Sequence, residues 1–371
     1  MRLRLALAAL ALLLAAPASA TAPHVDARAY LVQNAASGEI LAARNARERL
    51  AIASITKLMT VLVALQHAKL DDVVIVSGAA ARVGESSIYL RPGDRLTVRE
   101  LVEAALIQSA NDAAVALAEH VGGSEARFVA MMNAEARKLG LRDTHFANPD
   151  GLDEPGHYSS ALDVTRLARI AMRVPVIRSI VRRTTATISG GRVLNTWNDL
   201  LGRFPGTFGV KTGHTSRAGW SEVAAARANH VTIYATLLGG ETRQGRNGDL
   251  AALLAWAISR YRVVNLVARG RVYATARAPY GRRALSLVAP ETVRRIVRID
   301  RAMVEQVVAP RVVSLPVRQG QALGEVRVYA GRRLVVRRPL VASRTIGEPG
   351  LLGRAGWYLG RAAHHAWSWV G

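Results

Sequence analysis

Apolar residues along the first two thirds of the chain follow two spacings, one typical of helices and one typical of strands. Between Ser54 and His67, leucines recur every three or four positions on an otherwise apolar background, which predicts a buried helix. A second helical stretch, from Val98 to His120, is interrupted near Ser109. Further helices are predicted at 125–139, 160–172 and 249–260.

Strands are predicted where short apolar runs are bounded by turn residues. The first two are joined by Ser37-Gly38, a pair typical of a hairpin turn. By contrast, the stretch from Phe146 to Tyr158 is rich in Asn, Pro, Asp and Gly, which predicts a loop. The predicted strands of this region are 29–32, 39–44, 207–211, 221–226 and 231–238.

The pattern changes after Val263, where helical periodicity disappears and short β-rich runs alternate with Gly and Pro. The last residues return to helical spacing, with Leu351, Leu359 and Trp367 on one side and arginines and histidines on the other. A terminal helix with Trp and Tyr beside Arg is typical of one lying flat at a membrane–water interface. Docking of this helix on the protein itself, or a dimer contact, is the alternative.

The N-terminus has the features of a secretory signal peptide. Arg2 and Arg4 precede an apolar run that ends at Ala16, and Ala18-Ser19-Ala20 is a small-residue cleavage site. The run is shorter than the ~20 residues of a membrane span, although an N-terminal anchor is the alternative. The predicted organisation is a signal peptide at 1–20, a mixed helix-and-strand domain at 21–263, a small β-rich domain at 264–346 and an amphipathic helix at 347–371.

Composition is consistent with an exported protein. The 371 residues suffice for two domains, and without cysteine the fold must rely on packing instead of disulfides. The formal net charge is +23, and 264–346 holds 17 arginines against four acidic residues. The expected anionic partners are cell-wall polymer and phospholipid headgroups, not nucleic acid, with a solvated basic surface as the alternative. No metal or cofactor is expected.

Only four of the 50 basic residues are lysines, and two of these four lie in motifs. Ser54-Ile55-Thr56-Lys57 is an S-x-x-K motif, and residues three apart on a helix share a face. Serine is a poor nucleophile until a base takes its proton, and a buried lysine, unlike arginine, can lose a proton near neutral pH. The motif therefore predicts Ser54 as a nucleophile and Lys57 as its base.

Two further motifs follow in order. Ser109-Ala110-Asn111 is an S-x-N motif at the predicted helix break, which makes Ser109 a candidate proton relay and Asn111 a candidate partner of Lys57 or of a substrate amide.

Lys211-Thr212-Gly213 is a K-T-G motif at the end of a predicted strand. Gly213 would let a substrate backbone approach closely, as an added strand does. The N–H of His214 would then form an oxyanion hole together with the N–H of Ser54.

In these three motifs the chain resembles the low-molecular-mass penicillin-binding proteins, specifically the D-alanyl-D-alanine carboxypeptidases. The resemblance covers nearly everything after the predicted signal peptide, including the loop 145–152, and departs at Ala110, where Gly is common. It implies an α/β (α+β) catalytic domain of the β-lactamase/transpeptidase-like type, with an antiparallel sheet flanked by helices. A small all-β C-terminal domain and a C-terminal amphipathic anchor are also implied.

The resemblance further implies a reaction. Ser54 would attack the terminal D-Ala-D-Ala bond of a peptidoglycan stem peptide, the last D-Ala would leave, and water would hydrolyse the acyl-enzyme. Whether Lys57 acts directly or through Ser109 is left open. Penicillin and other β-lactams would acylate the same serine as inhibitors. The implied location is the periplasm. There, residues 350–371 would attach the protein to the anionic outer face of the cytoplasmic membrane.

The free carboxylate of the leaving residue requires cationic or hydroxyl partners. Lys211, Thr212 and Thr215 are placed to supply some of these. Arg246 matches a family position associated with that carboxylate, while Asp163 matches a recurring position that we interpret as structural.

Three other functions share some of these features. A β-lactamase has all three motifs, but one main group requires a Glu-x-x-Leu-Asn run, and none lies between Asn111 and Lys211. A D,D-endopeptidase would cut cross-links instead of chain ends. A wall-binding protein with a catalytically silent site is the third alternative.

Overall fold

The computed structural model describes residues 5–12 and 21–367 of the chain. It forms two compact units, one spanning 20–259 and the other combining the N-terminal residues with 260 onward. The predicted cleavage site at 18–20 and the final residues 368–371 lie outside the described residues. In the described part, the strands are β1 (Leu5–Leu12), β2 (Ala29–Asn34), β3 (Ile40–Arg44), β4 (Val73–Ile75), β5 (Arg95–Thr97), β6 (Thr185–Ile188), β7 (Arg192–Asn195), β8 (Thr207–Thr215), β9 (Gly219–Ala228), β10 (Val231–Gly240), β11 (Tyr261–Val267), β12 (Val272–Ala276), β13 (Leu285–Val288), β14 (Val293–Arg298), β15 (Met303–Pro310), β16 (Ala322–Ala330) and β17 (Arg333–Ala342).

Helices are concentrated in the unit 20–259. Short 3₁₀ turns lie at Ala53–Thr56 and Ser189–Gly191, and a π-helical turn lies at Ala104–Gln108. The α-helices of the described residues are α1 (Lys57–His67), α2 (Gly78–Ala81), α3 (Val98–Glu103), α4 (Asn111–Gly122), α5 (Glu125–Lys138), α6 (Ala161–Ala171), α7 (Pro175–Ile180), α8 (Arg243–Ser259) and α9 (Leu351–Trp367).

A five-stranded antiparallel sheet organises the unit 20–259, in the order β3-β2-β10-β9-β8. The helix α6 packs against β2 and β10, where Thr165 and Thr236 share a hydrogen bond of 2.6 Å. The helix α8 packs against β9 and β10. The predicted fold of an antiparallel sheet flanked by helices is therefore confirmed.

Helix α1 is buried, as its all-round apolar sequence predicts. Leu58, Met59, Val61 and Val63 are each at most 1% exposed, and they share one core with side chains of α3, α4, α5 and α6. Burying one such side chain contributes about 1.5–3 kcal/mol, so this core fixes the position of the turn that precedes α1.

The second unit is mostly β, as predicted. A six-stranded sheet has the order β1-β15-β16-β17-β13-β12, and β11 pairs with β14. The apolar run that the sequence assigns to a signal peptide includes β1, which pairs antiparallel with β15 from Leu5↔Pro310 to Leu12↔Met303. This unit has its own apolar core, drawn largely from β13, β15, β16 and β17.

The C-terminal helix α9 belongs to the second unit. Trp357 and Tyr358 pack edge-on against Tyr280, while Leu351 and Leu359 are 86% and 71% exposed. No helix within 5–12 and 21–367 combines the length and apolar character that crossing a bilayer requires.

Several boundaries differ from the prediction. Helix α8 begins at Arg243, six residues before the predicted start at Asp249, because Gly245 and Gly248 in a polar run obscure the helical pattern. Strand β8 continues through the whole K-T-G motif to Thr215. The two-stranded sheets β4–β5 and β6–β7 were not predicted, since each strand has only three or four residues.

Candidate active site

Ser54 and Lys57 lie where the 3₁₀ turn leads into α1. The Lys57 Nζ is 2.8 Å from the Ser54 Oγ, so the S-x-x-K spacing brings the two groups together as predicted. Ala53, immediately before Ser54, has a φ of 47°, a left-handed conformation that L-residues seldom adopt and that clusters at functional sites. Ser54 is partly exposed, whereas Lys57 is 0% exposed.

The Lys57 ammonium has three hydrogen-bond acceptors, one for each of its protons. Besides Ser54, it donates to the Asn111 Oδ1 at 2.7 Å and to the Asp150 carbonyl oxygen at 2.6 Å. Gly151 makes this approach possible, because its φ is +92° and a Cβ there would lie 2.0 Å from the Ala53 carbonyl oxygen. A residue larger than glycine would therefore displace either the loop or the turn that carries Ser54.

Burial lowers the pKa of Lys57 from 10.5 to about 8. The nearby carboxylates of Asp150, Asp112 and Glu85 act in the opposite direction and favour the ammonium. A lysine in this range can exchange its proton near neutral pH.

Ser109 contacts the second motif lysine. It has a φ of 65° at the end of the π-helical turn, immediately before α4, so the predicted helix break is confirmed. The Lys211 Nζ donates to the Ser109 Oγ at 2.8 Å and to the Thr212 carbonyl oxygen at 3.0 Å. Lys211 is buried, and burial and the charge of Lys57 lower its pKa well below 10.5.

A cavity of ≈ 220 Å³ opens onto these groups. Ser54 and Ser109 both line it, so the predicted nucleophile and the predicted relay face the same space. The residues that line the cavity are Ser54, Glu85, Ser86, Ser109, Trp197, Thr212, Gly213, His214, Trp220 and Arg246.

The K-T-G strand packs directly against the turn that carries Ser54. A Cβ on Gly213 would lie 2.7 Å from the Ile52 carbonyl oxygen and 3.1 Å from the Ser54 nitrogen. The close neighbour of Gly213 is thus the protein's own backbone, which gives this glycine a role that the sequence did not suggest. The His214 ring stacks on Trp220 with centroids 4.0 Å apart.

The predicted carboxylate partners separate into two groups. Thr212 and Arg246 line the cavity. Lys211 does not line it and instead donates to Ser109, which does. Thr215 does not line it: its hydroxyl donates to the Asp153 Oδ1 at 2.7 Å, so its proton is already used within the protein. Asp163 accepts hydrogen bonds from Thr144 and the Asp143 backbone, in keeping with a structural role.

Sequence reasoning missed some residues of the site. The loop carbonyl of Asp150 leaves no signal in the side-chain pattern, although the Asn-Pro-Asp-Gly run marks the turn that presents it. Trp197 and Trp220 line the cavity from outside the three motifs. Glu222, fully buried beside Arg246, was also missed because it lies in an apolar strand.

Comparison with known proteins finds relatives along most of the chain. DacC from Escherichia coli (strain K12), a D-alanyl-D-alanine carboxypeptidase, is 33% identical over 375 residues, covering 96% of this chain and 93% of the relative. DacF from Bacillus subtilis (strain 168), of the same description, is 31% identical, covering 88% and 87%.

Solved structures show the same fold. Penicillin binding protein 5 from Haemophilus influenzae superposes with a TM-score of 0.66 at 27% identity, covering 89% of this chain and 100% of that one. The Streptomyces K15 DD-transpeptidase has a TM-score of 0.61 at 30% identity over 65% of this chain and 100% of its own. The family profile described as D-alanyl-D-alanine carboxypeptidase matches residues 16–242. The chain belongs to the D-alanyl-D-alanine carboxypeptidase family.

Proposed function

We propose that this protein is a serine-type D-Ala-D-Ala carboxypeptidase that removes the terminal D-alanine from peptidoglycan stem peptides. The observation that carries the proposal is the 2.8 Å contact between the Lys57 Nζ and the Ser54 Oγ, in a cavity shared with Ser109. Membership of the family supports the same reaction.

Lys57 acts as the base in the acylation step. When the ammonium loses one proton, the amine accepts the hydroxyl proton of Ser54 while its two remaining N–H groups stay on Asn111 and Asp150. The Ser54 oxygen then bonds to the carbonyl carbon of the penultimate D-Ala. The C–N bond breaks, and the leaving amine receives the proton.

Ser109 is the candidate relay of this proton, because it faces the cavity and accepts a hydrogen bond from Lys211. Its hydroxyl proton goes to the leaving amine and is replaced by the proton that Lys57 took from Ser54, which leaves Lys57 neutral. The direct contact of Lys57 with Ser54 favours proton removal without a relay in the first half of the reaction. We place the oxyanion hole at the N–H groups of Ser54 and His214, as in the sequence-based expectation. Water then hydrolyses the ester, with Lys57 again as base.

The substrate carboxylate is assigned to Thr212 and Arg246. Both line the cavity, and a guanidinium is the side chain best matched to a carboxylate. β-Lactams, whose reactive carbonyl and carboxylate resemble those of the substrate, are the expected inhibitors at Ser54.

Labelling with a fluorescent penicillin tests the nucleophile. Wild type is expected to take up label and to release D-Ala from a pentapeptide ending in D-Ala-D-Ala, whereas Ser54→Ala should do neither. Ser179→Ala, at an exposed serine of α7, is the matched control. Equal labelling of Ser54→Ala would contradict the proposal. Cleavage of a cross-linked dimer in preference to the pentapeptide would indicate a D,D-endopeptidase.

We also propose that the protein works in the periplasm, with α9 on an anionic membrane surface. The exposed leucines of α9 and its Trp357, Tyr358 and Arg354 are the residue types that bind the interface. The net charge of +23 favours a negatively charged surface.

A further inference from the structure

The side chain of Glu222 is buried next to Arg246, at the end of the cavity that we assign to the substrate carboxylate. Glu222 of β9 is the register partner of Thr212 in the K-T-G strand, so the two side chains share a face of the sheet. It is 0% exposed, and its Oε2 lies 3.1 Å from the Nε of Arg246, which lines the cavity. Neither Glu222 oxygen accepts a hydrogen bond from the described residues.

The hydrogen bonds of Arg246 go elsewhere. Its Nε and Nη2 donate to the Asn247 Oδ1 at 3.0 Å and 2.6 Å. Glu222 therefore acts on Arg246 through charge and position, without a hydrogen bond that would fix it in one protonation state.

The other acid of this cluster is already paired. Asp199 accepts two hydrogen bonds of 2.7 Å from Arg243 and a longer one of 3.5 Å from the Arg246 Nη2. Asp199 is thus held mainly by Arg243, and Glu222, at 3.1 Å, is the acid closer to Arg246. An ionised Glu222 thus neutralises the cation that the substrate carboxylate requires.

The surroundings of Glu222 contain few other charges. The charged groups that act on it are Lys211 of β8, Arg246 and Arg243 of α8, and Asp199 of the segment before β8. On the opposite side of β9 its register partner is Leu237 of β10, which carries no charge. Burial raises the pKa of Glu222 to about 7, against the effect of the three cations.

We propose that Glu222 is a positioning residue whose protonation state sets how strongly Arg246 binds the substrate carboxylate. Ionised Glu222 holds Arg246 and cancels its charge, whereas neutral Glu222 leaves that charge to the substrate. The enzyme then binds a peptide with a free C-terminus more tightly as the pH falls through neutrality. This inference rests on the proposed function, because it requires a carboxylate substrate in this cavity.

Binding to the full-length Ser54→Ala protein, which cannot form the acyl-enzyme, tests the inference. An N-acylated D-Ala-D-Ala peptide and its C-terminal amide are titrated by NMR from about pH 6 to about pH 8. The affinity for the acid is expected to fall about five- to tenfold over this range, while the affinity for the amide stays constant. This comparison needs no change at Glu222.

Adding Glu222→Gln should make binding of the acid independent of pH and as tight as in the parent protein at low pH. Glu222→Leu, a second neutral variant, should do the same. Glu305→Gln is the matched control, since it removes another buried glutamate that faces an arginine, Arg271, in the other unit, and it should keep the parent's pH dependence.

The possible results distinguish the role of Glu222 from the proposed function. Equal pH dependence for acid and amide, or an unchanged profile in Glu222→Gln, would overturn the role of Glu222 and leave the proposed function intact. Failure of the free-acid peptide to bind at any pH would overturn the proposed function and this inference with it, whereas an amide that does not bind leaves the Glu222→Gln comparison to decide the role of Glu222.

Discussion

Two fully buried ionisable side chains of the same unit, Lys57 and Glu222, have contrasting surroundings. Each proton of the Lys57 ammonium has an acceptor within 2.8 Å, whereas neither oxygen of Glu222 accepts a hydrogen bond. Burial nevertheless moves both groups toward neutrality, lowering the pKa of Lys57 to about 8 and raising that of Glu222 to about 7.

The difference shows how one physical cause serves two purposes. Lys57 can lose one proton and remain held by Asn111 and Asp150, so its amine stays aimed at Ser54. Glu222 lies beside Arg246 without a hydrogen bond to it, so a change in its protonation changes the net charge at the end of the cavity. Hydrogen bonds hold the Lys57 amine in place during proton transfer. The Glu222–Arg246 pair has no such bond, and in our proposal the protonation state of Glu222 changes the affinity of Arg246 for the substrate carboxylate.

Replacing the base is the change with the largest expected effect. Lys57→Arg keeps the positive charge but cannot supply a neutral base, so the rate of acylation by penicillin should fall about 10²–10⁴-fold. Stopped-flow labelling measures this rate, and the melting temperature checks that the variant folds. Lys69→Arg, at an exposed lysine, is the control and should match wild type. Acylation by Lys57→Arg within a few-fold of wild type would remove Lys57 from the role of base.

A smaller effect is expected from Glu222, on how the stability of the fold depends on pH. The folded-state pKa of Glu222, about 7, exceeds the ordinary value of 4.5, so its protonated form stabilises the fold at low pH and this contribution is lost as the pH rises through 7. Between about pH 5 and about pH 8, the free energy of unfolding of wild type should fall by about 3 kcal/mol relative to that of Glu222→Gln. Urea unfolding at the two pH values measures the difference.

The exposed Glu241→Gln provides the control for that measurement, because its side chain stays in water in both states. Parallel pH profiles for wild type and Glu222→Gln would mean that Glu222 does not titrate in this range.

The smallest effect on turnover is expected from removing the C-terminal helix. Deleting 350–371 leaves Lys57, Glu222 and their partners in place, so kcat/KM for a soluble peptide should not change. Sedimentation with anionic phosphatidylglycerol vesicles should be lost, with neutral phosphatidylcholine vesicles as the control. A truncated protein that still sediments with anionic vesicles would place the membrane contact elsewhere.

The catalytic half of this comparison could be predicted from the sequence. S-x-x-K fixes Ser54 and Lys57 by helical spacing, and the polar residues around Ser109 indicate the helix break that the structure contains. Local spacing suffices there because both features arise within one or two turns of chain. The link from Asn111 to Lys57 required tertiary packing of α4 beside α1, and only the motif resemblance suggested it.

The Glu222 half could not be predicted. Its surroundings depend on the register of β8 with β9, which places it opposite Thr212, and on the packing of α8. The glycines near the start of α8 hid the fact that Arg246 lies on a helix. In a strand of small and apolar residues, one glutamate indicates an exposed position more readily than a buried one.

The pH dependence of acylation tests whether Lys57 takes the proton of Ser54. The first-order rate of acylation at saturating fluorescent penicillin, which does not depend on how tightly Arg246 holds the carboxylate, is measured on wild type across the range in which Lys57 loses its proton. Because only the neutral amine can accept the proton, the rate should rise with pH and level off above an apparent pKa of about 8. A rate that stays constant or falls through this range would contradict the assignment of Lys57 as the base.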